Sequence, residues 1–415
     1  MLVVGINYAP EPTGIAPYTT GMAEHLALTA GSITVLTGVP HYPNWRVPGE
    51  YRWVLRSHEA MHRTVTAEGT AVGGLHLRRL RHYVPRRQSA LTRAAYEATF
   101  LANAATVRLP QIPEVIVAVT PSLGGAVAAV PLARRYGAKL VVVVQDMMAK
   151  AASQSGISGG GRAARATAAL ERFALRQADL VVVVSDAFRS QLHEYGVPDE
   201  RIRLMPNWSH IGRTEIDRDV ARMVLGWPTD PFTIVHTGNI GLKQDLGNLV
   251  EAARLTADDA DLRFVIVGDG SQCQAVREQA TGLPNMHFVG PLDDDHYPLA
   301  LAAADVLVVN ERPGVADMSL PSKLTSYLVA GRPILAAVGD GGATSRELTR
   351  TGGAALVVPP GDPAAFVDGV RRLYSNPDLC EVMAMAGRTY ADQTLGKDVA
   401  TARLEVLLHE CLSVS

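Results

Sequence analysis

Cysteine, aromatic residues and long apolar runs are all scarce in this 415-residue chain. Its three cysteines form no CxxC pair and no Cys/His metal-ligand spacing, which argues against a disulfide framework or a zinc module and predicts a reducing compartment. No apolar run approaches the roughly 18 residues of a membrane span, and no basic leader or cleavage site precedes the first apolar run. We therefore expect a globular, cytoplasmic protein.

Lysine is scarce as well, because only five of the 39 basic residues are lysines: Lys139, Lys150, Lys243, Lys323 and Lys397. The formal net charge of −2 hides a division of charge along the chain. Residues 1–212 carry 22 basic and 14 acidic groups, a net charge of +8, whereas residues 213–415 carry 17 and 27, a net charge of −10. Opposite charges in the two halves predict two domains with different partners.

Short apolar runs alternate with longer, Ala-rich segments along the chain. The runs occupy 2–6, 33–36, 75–80, 115–119, 140–144, 180–184, 232–237, 262–268, 286–290, 305–309, 333–338 and 354–358. Helix-forming segments include 18–30, 93–108, 163–177, 245–256, 271–281, 321–330 and 363–374. Continuous apolar runs are typical of parallel strands buried on both faces. Their alternation with helices in two blocks, with turn signals near 205–231, predicts two doubly wound α/β domains, whose ligands bind at the carboxyl ends of the strands.

A glycine-bearing turn around Gly14 joins the first predicted strand to a helix, with Thr19 or Thr20 as the expected N-cap. The free N–H groups at a helix N-terminus suit a phosphate or a sugar hydroxyl. The alternative is an ordinary strand–helix turn without a ligand.

The loop after the second predicted strand contains His41, Tyr42 and Trp45 in a chain with only 6% aromatic residues. Aromatic rings stack on the faces of sugars, and loops at strand ends carry function more often than cores do. We therefore regard these three residues as acceptor-side candidates, with a hydrophobic loop anchor as the alternative.

Residues 69–96 contain no acidic residue and six arginines, among them Arg78, Arg79 and Arg81. These arginines alternate with apolar side chains and lead into an Ala-rich helix. Such a run favours an anionic acceptor or an anionic membrane surface over an ordinary solvated face. No nucleic-acid-binding signature accompanies it, so we expect no nucleic-acid partner.

Two acidic motifs lie near predicted strand ends. Asp146 follows the fifth strand, where a carboxylate could hold a sugar hydroxyl or transfer a proton, although a helix N-cap is an equal alternative. The triplet Asp293–Asp295 resembles a DxD metal motif. Because it precedes a helix, acids that complement the helix dipole explain it better, and we expect no metal site there.

The second block begins with a strand followed by the turn 236–244, in which Gly238 allows close approach of a ligand and Lys243 offers a charge suited to phosphate. The next strand ends in Gly268-Asp269-Gly270. This sequence lacks the GxGxxG fingerprint, which argues against a dinucleotide site.

Residues 314–333 hold the strongest motif, a loop that enters a helix with Pro321 in its first turn. Ser319 and Ser322 offer hydroxyl groups. Lys323 falls beside the positive end of the helix dipole, where a cation is unfavourable unless an anion binds between them. This arrangement predicts a phosphate-binding helix N-terminus.

Seven segments together resemble glycosyltransferase family four, and most closely its bacterial colanic-acid and O-antigen enzymes of the fucosamine-transferase type. They are INYAPEPTGIAPYT, PHYPNW, QDMM, PNW, HTGNIGLKQ, VGDG and DMSLPSKLTSYLVAGRPI. The likeness covers almost the whole chain. It implies a GT-B fold, with an acceptor-binding Rossmann-like domain over 1–210, a donor-binding one over 211–389, and a final helix, about 390–415, that crosses back to the first domain.

The resemblance also implies retaining transfer of a sugar from a nucleotide diphosphate sugar, without a cofactor or an essential metal. It places the donor against Gly14, Gly238, Asn239, Lys243, Gln244, Asp269, Leu292, Ser319, Leu320, Ser322 and Lys323. The catalytic candidates are Asp146, Lys323 and Asp317. Asp146 stands where many relatives carry a histidine near the reacting sugar.

Some positions depart from the usual family pattern. The arginine and lysine of the diphosphate turn are Asn239 and Gln244 here, unless Lys243 takes the lysine position by a shift of one residue. The two family glutamates correspond to Met318 and Ser326, and the nearest acid to the first of them is the residue before Met318. These departures leave the donor sugar and the ribose contact open.

We expect a glycosyltransferase of polysaccharide, glycolipid or natural-product biosynthesis, with a lipid-linked or small-molecule acceptor and peripheral membrane contact as one option. Transfer needs no dedicated base if the departing phosphate takes the acceptor proton, which agrees with the lack of an obvious acid–base pair. A nucleotide-sugar 2-epimerase of the same fold and a non-catalytic nucleotide-sugar-binding subunit are the alternatives.

Overall fold

A computed structural model of the chain describes residues 1–29, 31–65, 71–87, 89–148, 160–209, 211–212, 215–314 and 322–413. The chain divides into two compact units. The first comprises Met1–Asn207 with Lys397–Ser415, and the second comprises Trp208–Gly396. Within the described ranges, no helix combines the length and the hydropathy needed to cross a bilayer.

The first unit contains an eight-stranded sheet. Its strands are β1 (Leu2–Val4), β2 (Ser32–Gly38), β3 (Glu59–Val65), β4 (Ala71–Leu80), β5 (Val115–Val119), β6 (Lys139–Val144), β7 (Leu180–Val183) and β8 (Ile202–Leu204). The strand order is β3-β4-β2-β1-β5-β6-β7-β8, and only the β3/β4 pair is antiparallel.

The second unit contains a six-stranded, fully parallel sheet with the order β11-β10-β9-β12-β13-β14. Its strands are β9 (Phe232–Thr237), β10 (Leu262–Val267), β11 (Met286–Val289), β12 (Val306–Asn310), β13 (Ile334–Ala337) and β14 (Ala355–Val358). Two largely parallel, doubly wound sheets confirm the predicted fold class. The partly polar strands β3 and β8 were not predicted, because neither contains a continuous apolar run.

Fourteen α-helices lie within the described residues. They are α1 (Ala16–Thr29), α2 (Ala90–Ala105), α3 (Leu123–Tyr136), α4 (Gly160–Gln177), α5 (Arg189–Glu194), α6 (Arg218–Leu225), α7 (Gly247–Leu255), α8 (Cys273–Gln279), α9 (His296–Ala302), α10 (Ser322–Ala330), α11 (Ala343–Arg350), α12 (Pro363–Tyr374), α13 (Pro377–Thr394) and α14 (Lys397–Ser413).

Several helices begin at side chains that accept hydrogen bonds from free backbone N–H groups. Ser122 accepts from Gly125 N at the start of α3, and Asp362 accepts from Ala365 N at the start of α12. By contrast, α1 begins at Ala16, ahead of the threonines predicted to cap it. The Thr20 hydroxyl instead accepts from Ala9 N in the preceding loop, so it fixes that loop to the helix.

The last helix, α14, packs against α1 within the first unit. His25 Nε2 lies 3.2 Å from Glu405 Oε2, and Lys397 Nζ lies 3.7 Å from Glu24 Oε2. Leu404 is fully buried. Apolar packing and the two ion pairs together attach α14 to this unit.

Alternate residues of each central strand in the second unit face two separate apolar cores. Ile234 of β9 faces a core that includes Leu249 and Phe366, whereas Val235 faces the opposite core, which includes Leu324. Strands covered on both faces are largely apolar, which explains the continuous runs in the sequence.

A buried ion pair joins α6 to the start of β12. Arg222 is fully buried, and its guanidinium donates to Asp305 Oδ2 at 2.5 Å and to Ala303 O at 2.9 Å. The same carboxylate oxygen accepts from Thr233 N at 2.7 Å. Asp305 therefore neutralises a buried cation and orients the first residues of β9.

Replacing Asp305 with Asn should lower the free energy of unfolding by about 3–5 kcal/mol, because Arg222 would remain buried without its counter-charge. Denaturant unfolding followed by circular dichroism measures the change. Glu251→Gln is the control, since its exposed pair with Arg254 should contribute less than about 1 kcal/mol. Equal losses in the two variants would contradict the assignment.

Candidate functional site

The topological switch point of the second sheet lies at the carboxyl ends of β9 and β12. From β9 the chain proceeds outward to β10 and β11, then returns to β12 on the other side of β9. The loops after β9 and β12 therefore diverge in opposite directions. A crevice at this position is the usual ligand site of doubly wound sheets.

Lys323 reaches this crevice from the first turn of α10. Its Nζ donates to His236 Nε2 at 3.0 Å, at the end of β9. Burial lowers the pKa of Lys323 to about 7, against the opposing field of Glu311. Burial, followed by the nearby lysine, holds the pKa of His236 well below its usual value, so the imidazole is neutral and its Nε2 accepts the hydrogen bond from Lys323.

The same helix is attached to β9 by hydrogen bonds to Thr237. Thr237 N donates to the Tyr327 hydroxyl at 2.8 Å, and the Thr237 hydroxyl lies 2.9 Å from the Tyr297 hydroxyl of α9. Tyr327 and Thr237 are fully buried. Because Tyr327 lies one helical turn after Lys323, this network fixes the position from which the lysine side chain extends.

The turn after β9 is held by Asn310 at the end of β12. Asn310 Nδ2 donates to the carbonyls of Gln244 and Asp245, and its Oδ1 accepts from Asn248. Among the predicted donor residues, the exposed Asn239 donates to Gln244 Oε1 at 3.3 Å. The buried side-chain amide of Asn310 therefore holds this turn in place.

Lys243 lies in this turn and is exposed. Its carbonyl accepts from Arg312 N at 2.8 Å, which ties the turn to the loop after β12. No described contact brings its ammonium group together with Lys323. The structure therefore places Lys243 in the predicted turn and leaves its side chain in solvent.

The predicted Gly238 and Asp269 belong to two loops in close backbone contact. A Cβ atom on Gly268 would lie 2.0 Å from Gly238 O, and Gly268 has a φ of +135°. Ile240 N donates to Asp269 O at 2.9 Å, and the Asp269 carboxylate accepts from Gly270 N. This close approach requires glycine at 268. The Asp269 carboxylate is exposed and accepts a hydrogen bond from the neighbouring backbone.

Leu292 is half-buried against the core beside α9, and Asp293 accepts from both the backbone N and the ring Nδ1 of His296. Asp293 is therefore engaged with the start of α9, as the capping interpretation predicts. Among the described residues, His, Cys, Asp and Glu side chains form no group of three or more that could hold a metal.

The predicted Asp317, Ser319 and Leu320 lie outside the described residues, and Ser322 is the first residue of α10. Glu311, which was not among the predicted site residues, directly follows β12. It accepts from the Thr344 hydroxyl at 2.5 Å, and burial raises its pKa. The sequence signal that could have identified Glu311 is an acidic residue directly after an apolar strand.

In the first unit, the loop after β1 is organised by the buried carboxylate of Glu11. It accepts from Asn7 Nδ2 at 2.8 Å and from the backbone N atoms of His41 and Tyr42 at 2.7 and 2.9 Å. Gly14 has a φ of +71°, and a Cβ there would approach the Tyr42 ring to 3.0 Å. The loops after β1 and β2 therefore form one connected structure at the switch point beside β1.

The three aromatic acceptor-side candidates have different environments. His41 is 3% exposed, with Nδ1 2.9 Å from Val39 O and Nε2 3.0 Å from the Tyr96 hydroxyl, so its ring anchors the loop and offers no surface to a ligand. Trp45 is half-buried against the core, and Tyr42 is exposed. For His41, the anchor alternative is correct.

Arg78 and Arg79 lie on β4 and Arg81 directly follows it, and Arg79 is not a surface residue. Arg79 is 3% exposed, lies beside Glu59 and donates to Ala9 O at 2.8 Å. Arg78 donates to Arg108 O, and Arg81 donates to carbonyls of the loop 51–52. The expectation of an anion-binding surface is therefore wrong for Arg79, because strand alternation turns it inward onto the β1 loop.

Asp146 lies at the carboxyl edge of β6, as predicted, and is half-buried. Its Oδ1 accepts from Met147 N at 2.8 Å, and its carbonyl lies 3.4 Å from the Thr120 hydroxyl. The neighbouring Gln145 accepts from Asn207 Nδ2 at 2.6 Å. These contacts fix the loop after β6 to the end of β5.

Comparison with known proteins identifies the relatives of this chain. Residues 13–208 match the model of the glycosyl transferase 4-like domain, and residues 231–376 match that of glycosyl transferases group 1. The chain is 33% identical over 418 residues to the putative colanic acid biosynthesis glycosyl transferase WcaI of Escherichia coli K12, with 96% of this chain and 97% of the relative covered.

Solved structures share the fold. Sucrose-phosphate synthase from Thermosynechococcus elongatus has a TM-score of 0.68 at 18% identity, with 100% of this chain and 99% of that chain covered. Alr3699/HepE of Anabaena, solved with UDP-glucose, has a TM-score of 0.64 at 16% identity, with 99% and 100% covered. WaaG, a glycosyltransferase of lipopolysaccharide biosynthesis, has a TM-score of 0.65 at 15% identity, with 98% of each chain covered.

The Gly268→Ala substitution should destabilise the second unit more than Gly282→Ala does. Both glycines have positive φ angles, but a Cβ at 282 meets no atom within 4 Å, so that variant carries only backbone strain, about 1–2 kcal/mol. At 268 the overlap with Gly238 O adds to the strain. Denaturant unfolding of both variants measures the difference, and equal stabilities would show that the two loops do not require the close approach.

Proposed function

This chain belongs to the glycosyltransferase family of those two domain models and has the GT-B fold, and we propose that it is a retaining enzyme that transfers a sugar from a nucleotide diphosphate sugar to a hydroxyl acceptor. The observation that carries the proposal is the position of Lys323, at a helix N-terminus beside the switch point of the second sheet. HepE, which shares the fold, was solved with UDP-glucose.

The donor diphosphate would bind at the N-terminus of α10, between Lys323 and the turn after β9. Helix N–H groups and the ammonium group supply positive potential there. The second half of the chain has a net charge of −10, so only such local groups can attract an anionic donor. Ser319, Leu320 and Ser322 remain proposed members of this cradle, with Gly238, Asn239 and Gln244 on the opposing turn.

Catalysis would consist mainly of stabilising the leaving diphosphate as the anomeric bond loosens. Lys323 would neutralise the charge that develops on the phosphate oxygen. The departing phosphate would take the proton of the acceptor hydroxyl on the same face of the sugar, which retains the anomeric configuration. Asp146 and Asp317 remain candidates for holding the reacting sugar, and we expect no essential metal.

We assign acceptor binding to the first unit, which carries a net positive charge. The similarity to WcaI supports polysaccharide or glycolipid biosynthesis, and a lipid-linked acceptor would entail contact with an anionic membrane. Tyr42 is the exposed candidate on the loop after β2. A small-molecule acceptor would use the same donor chemistry.

The donor is identified by thermal-shift measurements with a panel of nucleotide diphosphates, since binding to the native state raises the unfolding temperature. The responding nucleotide sugar is then incubated with and without acceptor in the presence of EDTA. We expect acceptor-dependent release of nucleotide diphosphate and, by NMR, a product with the donor's anomeric configuration. Epimerised donor without transfer would indicate an epimerase. Binding without turnover would indicate a non-catalytic subunit.

Lys323→Met should abolish most of the nucleotide-dependent thermal shift while leaving the unliganded protein folded. Lys397→Met is the matched control, because Lys397 lies at the start of α14 and its ammonium is exposed beside Glu24. An unchanged shift in Lys323→Met would overturn the diphosphate assignment. A loss in both variants would point to a general charge effect.

The pKa of Lys323, about 7 in the unliganded protein, predicts how donor affinity depends on pH. Only the ammonium form attracts the diphosphate, so affinity should be constant below pH 7 and fall by up to roughly tenfold per pH unit above it. Lys323→Arg, which stays charged, should flatten the profile. Titration calorimetry measures the affinities, and a flat wild-type profile would contradict the assignment.

Stability should respond to pH in the opposite sense. The unfolded chain keeps this lysine protonated to about pH 10, so the free energy of unfolding of the unliganded protein should rise from pH 7 to about pH 10 through this group.

A further inference from the structure

A fully buried histidine lies beside the lysine of the proposed donor site. His236 is the penultimate residue of β9, and its side chain has no exposed surface. Its Nε2 accepts the hydrogen bond from Lys323 Nζ at 3.0 Å. A neutral imidazole that accepts at Nε2 carries its proton on Nδ1. His236 therefore offers an acceptor to the ammonium group and turns a donor toward the protein interior.

Stability alone does not explain a histidine at this position. The Nδ1 atom of His236 is buried and has no hydrogen-bond partner among the described residues. A buried donor without a partner costs free energy. An apolar side chain, such as those of Ile234 and Val235 on the same strand, would bury no such group. The hydrogen bond to Lys323 is thus the contact that favours a histidine here.

The side chain of Lys323 follows a defined path to this acceptor. The lysine lies in the first turn of α10, which the Tyr327 hydroxyl attaches to β9. A Cβ atom on Gly238 would lie 3.6 Å from Lys323 Cε and 3.8 Å from its Nζ, so the lysine chain passes over a residue without a side chain. Its base is fixed by the helix and its tip by the imidazole of His236.

The hydrogen bond to His236 also sets the direction of the ammonium group. An ammonium group has three N–H donors and no acceptor. In the described part of the chain, Lys323 donates one of them to His236. Because the direction of that N–H bond is fixed, the other two point away from the imidazole. They are the donors available to an anion at the N-terminus of α10.

The charge of this lysine depends on the groups around it. Burial lowers the pKa of Lys323 to about 7, and the charge of Glu311 opposes that change. His236 stays neutral, because burial and the lysine hold its pKa well below its usual value. Burial raises the pKa of Tyr297 and of Tyr327, so both hydroxyl groups are neutral as well. A neutral acceptor at His236 favours the charged form of the lysine.

We propose that His236 is a positioning residue, which holds Lys323 in its charged form and aims the two remaining N–H groups of the ammonium at the diphosphate of the donor. The proposal deepens the proposed function and rests on it for the identity of the ligand. Because the side chain of His236 is fully buried, it acts through the lysine and does not touch the donor.

The first measurement needs no ligand. The chain has only five lysines, so ¹³C NMR of lysine labelled at Cε gives few signals, and the one missing in Lys323→Met identifies Lys323. We expect a titration midpoint near pH 7 in the wild type. His236→Leu should lower it by about one pH unit, because a hydrogen bond to a charged group is equivalent to roughly one to two pKa units. His236→Gln should restore the midpoint, since its Oε1 can accept in place of Nε2.

The second measurement separates the direction of the ammonium from its charge. Titration calorimetry with UDP and with inorganic pyrophosphate is done at about pH 5.5, where the lysine is largely charged in every variant. His236→Leu should weaken binding roughly tenfold there, through loss of directed hydrogen bonds. Glu311→Gln is the comparison, because the Glu311 carboxylate accepts from Thr344 and acts on the lysine through its charge. It should lower the midpoint without weakening binding.

Ile234→Val is the control for packing, because Ile234 is buried two residues earlier on β9 and makes no contact with a charge. It should leave the Lys323 midpoint in place. An unchanged midpoint in His236→Leu would overturn the proposal. An equal shift in Ile234→Val, or a midpoint that His236→Gln does not restore, would assign the effect to packing and overturn it as well.

The two measurements distinguish this proposal from the proposed function. A midpoint that falls in His236→Leu and returns in His236→Gln, in a protein that binds neither UDP, GDP, ADP nor pyrophosphate, would support the action of His236 on Lys323 and overturn the diphosphate site. Nucleotide binding that requires Lys323 but is the same in His236→Leu as in the wild type would support the diphosphate site and overturn the role of His236.

Discussion

The attachment of α10 to the end of β9 is the contact on which the donor half of this protein depends. Lys323 and Tyr327 are one turn apart on the helix, and they bind His236 and Thr237, which are adjacent on the strand. Tyr327 is fully buried and fixes the helix against the strand, so the side chain of Lys323 extends into the crevice from a defined position. Without that anchor, a partly desolvated ammonium would move toward solvent.

This arrangement explains how an acidic unit can serve an anionic ligand. The long-range field of the second half opposes a diphosphate, but charges beyond about 10 Å are largely screened at moderate ionic strength. A single cation beside a helix N-terminus acts at short range. The charge of Glu311 opposes the loss of its proton. Burial disfavours the charged form of the lysine, and a bound anion would offset that cost.

The basic unit uses its charges differently. Arg79 and Glu11 are buried and hold the loop after β1 from two sides, Arg79 through Ala9 O and Glu11 through His41 and Tyr42. These groups give shape to the switch point beside β1. Arg78 and Arg81, by contrast, donate to backbone carbonyls of neighbouring segments.

Much of the fold and part of the site could be predicted from the sequence. Continuous Val- and Ile-rich runs identified the buried parallel strands, because a strand covered on both faces is mostly apolar. The rarity of lysine, with Pro321 two residues before Lys323, marked the helix N-terminus, since both signals are local. The ordered motifs identified the glycosyltransferase family.

Other features were decided only by the tertiary structure. Whether Arg79 and His41 face solvent depends on which loops cover them, and those loops come from distant parts of the chain. Glu311 joins the site only because β12 returns beside β9. Sequence patterns show which residues are neighbours along the chain. Burial and charge pairing depend on which residues are neighbours in the folded structure.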